Sequence, residues 1–158
     1  MAESKKEDII IICNDGHAFT NNYSKDYLVS NIIEAGIQGI ELLFGGVGNY
    51  GTAVPIANNR YWLDNYHSIQ FAVFYKPIFE KILKYKFKET DDVDSVLSSL
   101  SKNCCVLYPF ISKQQDLISS DIPSPEKFHN ELRAKEPCLS EERLALVNSI
   151  SNRFVAPR

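Results

Sequence analysis

All seven glycines of this 158-residue chain lie between residues 16 and 51, and none follows Gly51. Glycine serves where backbone must turn tightly or take a positive φ. The distribution therefore predicts a small, loop-rich first third and a mostly helical remainder.

The length suits one domain, or a small domain with an extension. An apolar content of 44% is enough for a real core. The net charge of −3 provides no basic field for nucleic acid. No apolar run approaches the ~20 residues that span a bilayer. Met1 to Asp8 is polar and precedes only a five-residue apolar run, so it does not read as a signal peptide. Cys13, Cys104, Cys105 and Cys138 include no Cys-x-x-Cys pair. They read as four free thiols in a reducing intracellular compartment, with no metal site and no cofactor.

Ile9 to Cys13 is β-branched and predicts a buried strand. Asn14-Asp15-Gly16 is a tight-turn signal, with a returning strand from His17 to Phe19. Ser24 and Asp26 suit a helix start, Leu28, Ile32 and Ala35 its apolar stripe, and Gly36 its stop. Residues 37–53 read as irregular. A very apolar helix is expected from Asp64 or Asn65 through Phe74, kinked or restarted at Pro77, with a solvated basic end at Lys81 to Lys88. Phe71, Phe74, Tyr75 and Phe79 read as core. Thr90 or Asp91 caps a further helix carrying Val93, Val96, Leu97 and Leu100. Cys105 to Phe110 reads as extended. Ser124-Pro125 opens a helix with Phe128 and Leu132 inward and Pro137 as its end. A last helix is expected from Leu139, stapled by Leu139 and Leu144 and continued by Val147, Ile150 and Phe154. The terminal residues 154–158 read as a cut within a longer protein.

Gly46-x-Gly48-x-x-Gly51 fits a dinucleotide fingerprint, which needs a helix N-terminus directly after it. Pro55 follows too closely for that, so a flexible surface loop is the preferred reading and nucleotide binding an alternative. His17, His67 and His129 match no metal spacing. A thiol nucleophile made of Cys13 with His17 or His67 is disfavoured, because Cys13 ends a strand expected to be buried.

The first 86 residues resemble a divergent U-box, the zinc-free relative of the RING domain of E3 ubiquitin ligases. The likeness rests on Asp15-Gly16-His17 at a hairpin turn, the helix from Ser24 to Ala35, Ala53-Val54-Pro55-Ile56, and Trp62-Leu63-Asp64-Asn65. It implies an α+β fold, with a U-box-like hairpin-helix unit at 1–86 and a helical extension at 87–158. It also implies a ligase that binds a ubiquitin-charged E2 enzyme and positions its thioester for attack by a lysine of a protein substrate. The E2 contacts carried over are Ile9 or Ile10, Ile32, Tyr50 and Pro55. Asp15, His17 and Asn65 become polar braces in place of zinc. The family's stretch between helix and proline is shorter by about fifteen residues, and its apolar first loop is polar here. Such wear is similar to that of secreted bacterial effectors acting in a host cytosol. A non-enzymatic adaptor of the same shape is the other alternative.

Overall fold

The computed structural model describes residues 8–114 and 125–154, with side chains at 8–114 and 138–153. In chain order the elements are β1 (Ile9–Cys13), β2 (His17–Phe19), α1 (Lys25–Ile37), β3 (Leu42–Asn49), β4 (Ala53–Ala57), β5 (Arg60–Leu63) and β6 (His67–Tyr75). They continue with α2 (Lys76–Lys84), α3 (Val93–Leu100), β7 (Cys104–Leu107), β8 (Ser112–Gln114) and α4 (Pro125–Phe154). The α+β class holds, but the chain is built on a sheet rather than on a hairpin and helices. Six strands run in the order β1-β6-β3-β7-β5-β4, and β2 pairs with β8 in a separate ribbon. All pairings are antiparallel except β3 with β7.

The centre of the sheet is apolar on both faces, which explains its continuous hydrophobic runs. In β7, Cys104 and Val106 join one core while Cys105 and Leu107 join the other. Leu28 and Ala35 of α1 cover the second face. Ile78 and Phe79 of α2, Leu97 of α3 and Leu144 of α4 cover the first.

Several expectations need correction. The Asn14–His17 turn forms, closed by His17 N–H to the Asn14 carbonyl at 3.0 Å. It joins no hairpin, because β1 pairs with β6 and β2 with β8. Residues 42–49 are not a loop but an inner strand, with Gly45, Gly46 and Gly48 buried in it. A Cβ on Gly46 would collide with the Ser112 carbonyl oxygen, so glycine here serves close approach between backbones. The stretch expected to be helical up to Phe74 is β6. Its β-branched and aromatic residues fit a pleated surface covered on both sides, and Pro77 stands in the first turn of α2 rather than kinking a helix. The unit does not close at residue 86, because β7 lies between β3 and β5. Residues 87–158 therefore do not pack beside a finished domain: they carry α3 and α4, but they also supply β7 to the sheet and β8 to the ribbon.

Helix α1 begins as expected, with Ser24 Oγ accepting from Tyr27 N–H at 3.2 Å. It runs past Gly36, and Gly39, at φ 75°, supplies the left-handed exit. Asp92, one residue beyond the expected cap, starts α3. Helix α4 passes through Pro137 without ending, since one missing N–H bends a helix more readily than it stops one. Leu139 and Ile150 are consequently exposed on its outer side, while Leu144 is buried and Val147 packs on the core. The inward placement of Phe128, Leu132 and Phe154 lies outside the described side chains.

Candidate functional site

Strand β1 was expected in the interior and instead forms one edge of the sheet. Asn14 N–H donates to the Gln70 carbonyl, and the Asp8 carbonyl accepts from Lys76 N–H, both at 2.9 Å. Backbone groups of a strand point alternately to its two sides. Residues 8, 10, 12 and 14 therefore face β6, while the N–H and C=O of Ile9, Ile11 and Cys13 face outward. Among the described residues no strand pairs with that outer side.

Side chains of β1 also alternate. Ile9, Ile11 and Cys13 stand opposite Tyr75, Val73 and Phe71, all core residues of the α1 face. Ile10 packs into the core of the other face. Ile9, Ile11 and Ile12 are exposed, Ile11 to 46%.

Helix α1 continues this apolar surface. Its Asn31, Glu34 and Gln38 side chains reach Arg60 on β5, toward the far side of the sheet. Its other flank meets Tyr75, whose hydroxyl donates to the Ile32 carbonyl at 2.8 Å. A Cβ on Gly36 would touch that ring at 3.2 Å. At 100° per residue, Val29 and Ile33 fall on this flank, turned toward β1. Both are exposed, Ile33 to 57%. Edge strand and helix flank together form an apolar shelf of Ile9, Ile11, Val29 and Ile33. A surface of this kind marks contact with another molecule more often than isolated exposed residues do.

The five carried-over E2 contacts are not brought together. Ile9 and Ile32 both neighbour Tyr75, and Ile10 turns to the opposite face. Pro55 is exposed on β4, the opposite edge of the sheet. Five strand spacings separate the two edges, about 24 Å. Tyr50 is only 5% exposed. Its hydroxyl reaches the Ser140 carbonyl at 3.4 Å, and the Arg143 guanidinium sits 4.2 Å from its ring centroid. Burial raises its pKa, opposed by Arg143.

The braces are partly redistributed. Asp15 holds its own turn, accepting from Gly16 N–H at 2.8 Å. His17 Nδ1 lies 2.9 Å from Ser112 Oγ and ties the turn to β8. Burial lowers the imidazole pKa, so the neutral form predominates at neutral pH. Asn65 supplies a left-handed corner at φ 45°. The neighbouring Asp64 makes the cross-link, its carboxylate accepting from Thr52 N–H and its carbonyl from Gly51 N–H.

The Gly46–Gly51 segment presents no converging N–H groups. Tyr50 N–H binds Asn49 Oδ1, Gly51 and Thr52 N–H bind Asp64, and β3 is paired on both sides. Helix α4 covers its carbonyls: Ser140 Oγ donates to Gly48 and Arg143 to Tyr50 and Gly51. Glu141 accepts from Phe110 N–H at 2.7 Å, its pKa raised by burial.

Other polar groups brace the fold. Lys81, expected in solvent, donates to both carboxylate oxygens of buried Glu41 at 2.7 Å. Asp94 accepts from Ser68 N–H at 2.6 Å. Cys13 is exposed, contrary to expectation, and partial burial still raises its thiol pKa. Cys105 is fully buried, its pKa pushed up to about 12. Among the described residues no group of three His, Cys, Asp or Glu side chains could hold a metal ion. No described helix is long and apolar enough to cross a membrane. Comparison with protein-family models, curated proteins and solved structures finds no match.

Proposed function

We propose that this chain is a protein-interaction module that docks through the β1–α1 shelf. The observation that carries the reading is the coincidence of outward-facing backbone groups on β1 with exposed isoleucines on both β1 and α1. Edge strands of natural proteins are usually blunted by charge, proline or a cover. This one carries neither charge nor proline over Ile9–Cys13. Exposed edges of this type recruit extended segments of other chains by strand addition. The polar groups that meet elsewhere serve as braces: Ser112 Oγ is buried beside His17, Glu41 holds Lys81, and Arg60 holds α1.

A second reading keeps the U-box resemblance and its E3 ubiquitin-ligase activity toward a protein substrate, including the effector role in a host cytosol. It is favoured by Ile9 and Ile32 flanking the same Tyr75, with α1 following the Asp15-Gly16-His17 turn. A ubiquitination assay with E1, ATP, ubiquitin and a panel of E2 enzymes separates the two. The interaction-module reading expects no ladder from folded protein with any E2. Ladders lost on Ile32→Ala would replace it with the ligase reading.

A further inference from the structure

We propose that the free edge of β1 pairs antiparallel with β1 of a second copy of this chain, joining two six-stranded sheets into one across a twofold axis at Ile11. The proposal rests on the interaction-module reading and names its partner.

The strand is self-complementary in this register. Residues whose backbone groups face outward, 9, 11 and 13, stand opposite 13, 11 and 9 of the second copy. In an antiparallel ladder such facing residues exchange both of their hydrogen bonds. Every outward N–H and C=O of Ile9, Ile11 and Cys13 is then satisfied, with none left over. A shift by one residue would set outward-facing groups against inward-facing ones and lose the ladder.

Charge also permits it. Asp8 falls opposite Asn14 of the copy, and the five residues between carry no charge. The Asp8 carboxylate is already matched by Lys76 at 3.3 Å. Between Asp8 and Asn14 no like charges stand directly opposed across the strands, the usual device against such pairing.

The axis brings the two shelves together on one face of the joined sheet. Ile11 meets its own copy, and Ile9 meets Cys13. A five-residue strand is only about 17 Å long. Alone it falls short of the roughly 800 Å² per partner of a standard interface. The pair therefore dissociates on dilution.

Sedimentation velocity on the full chain, over about three decades of concentration up to ~1 mM, tests this by mass action. A monomer–dimer equilibrium is expected. Ile11→Lys and Ile9→Lys should each weaken it at least tenfold, with circular dichroism unchanged because both side chains are exposed. Leu139→Lys on α4 should leave it intact. In a Cys13→Ser background, Ile11→Cys should be joined to its copy by a short bis-maleimide, since facing Cα atoms lie about 5.5 Å apart. Cys13 of the unaltered chain sits four residues out of register with its copy, about 14 Å away, and should link poorly.

A monomer at every concentration overturns the self-pairing. So does a dimer indifferent to Ile11→Lys and Ile9→Lys, or one in which Ile11→Cys fails to link. These outcomes leave the broader reading standing with a different partner, whereas ubiquitin ladders would remove the broader reading itself.

Discussion

Replacing Arg60 should release α1 from the sheet, at a cost that the structure allows to be ranked. Arg60 is 1% exposed. Its guanidinium donates to Asn31 Oδ1 at 2.5 Å, Glu34 at 3.0 Å and Gln38 at 3.3 Å. These bonds are unequal. Glu34 is 59% exposed, so its ion pair is screened and worth at most about 1 kcal/mol. Asn31 is buried, and removing its donor strands a carbonyl oxygen at about 1–3 kcal/mol. Arg60→Met keeps most of the apolar stem and also removes a buried charge whose Nε has no partner among the described residues. A net loss of about 2 kcal/mol follows, since relief of charge burial offsets part of the broken contacts. Arg60→Ala loses the stem as well, about 0.8 kcal/mol per buried methylene, and should cost roughly twice as much. At about 2–4 °C per kcal/mol for a chain of this size, Arg60→Met should melt some 4–8 °C lower. Glu34→Ala should fall by less than about 4 °C on the same scale. Adding Asn31→Leu to Arg60→Met removes the stranded oxygen and should recover much of the loss. Urea unfolding and thermal melts of the unaltered chain and the four variants provide the numbers. If Glu34→Ala costs as much as Arg60→Met, or the double variant is no better than the single, burial of Asn31 is not what sets the energy.

Other consequences can be measured on the same protein. Tyr50→Ala should cost about 3–5 kcal/mol, as expected for truncating a buried aromatic, while Tyr50→Phe should cost under about 1.5 kcal/mol; equal, small effects would mean that α4 does not seal this ring. Gly46→Ala forces a Cβ against the Ser112 carbonyl and should lose about 1–3 kcal/mol in denaturant unfolding, whereas Gly16→Ala, with its nearest neighbour 3.9 Å away, should lose less. The Glu141 pKa is raised in the fold, so the folded chain binds that proton more tightly than the unfolded one. Its contribution is therefore present at acid pH and lost as pH rises from about 4.5 through the raised value; Glu141→Gln should flatten that part of the stability–pH curve, and an unchanged slope would refute it. A thiol reagent should label Cys13 and Cys138 rapidly and Cys104 and Cys105 only on unfolding, because the latter two are buried with raised pKa values; fast reaction of all four would contradict the packing of β7.

The parts of this fold that were legible in the sequence are those whose signals are local. Ser24 fixes the start of α1 through one side-chain bond, and the Asn14–Gly16 turn forms wherever its strands go. The errors arise where pairing over long sequence distance decides. Ile69, Val73 and Phe74 repeat at helical spacing, yet β6 is a strand because β1 and β3 flank it and helices cover both faces. A continuous apolar run does not distinguish a buried strand from a buried helix. The glycines misled for a related reason: Gly45 and Gly46 mark close approach to Ser112, 66 or more residues away, and not a loop. The docking shelf was hidden by the same ambiguity. Four isoleucines in a row state that β1 is apolar on both faces, but not that it lies at an edge. That follows only from β6 taking one side of β1 and no described strand taking the other. A burial signal in sequence and an exposed edge in the fold are compatible if a second chain completes the burial, which is the reason to begin with β1 when seeking this protein's partner.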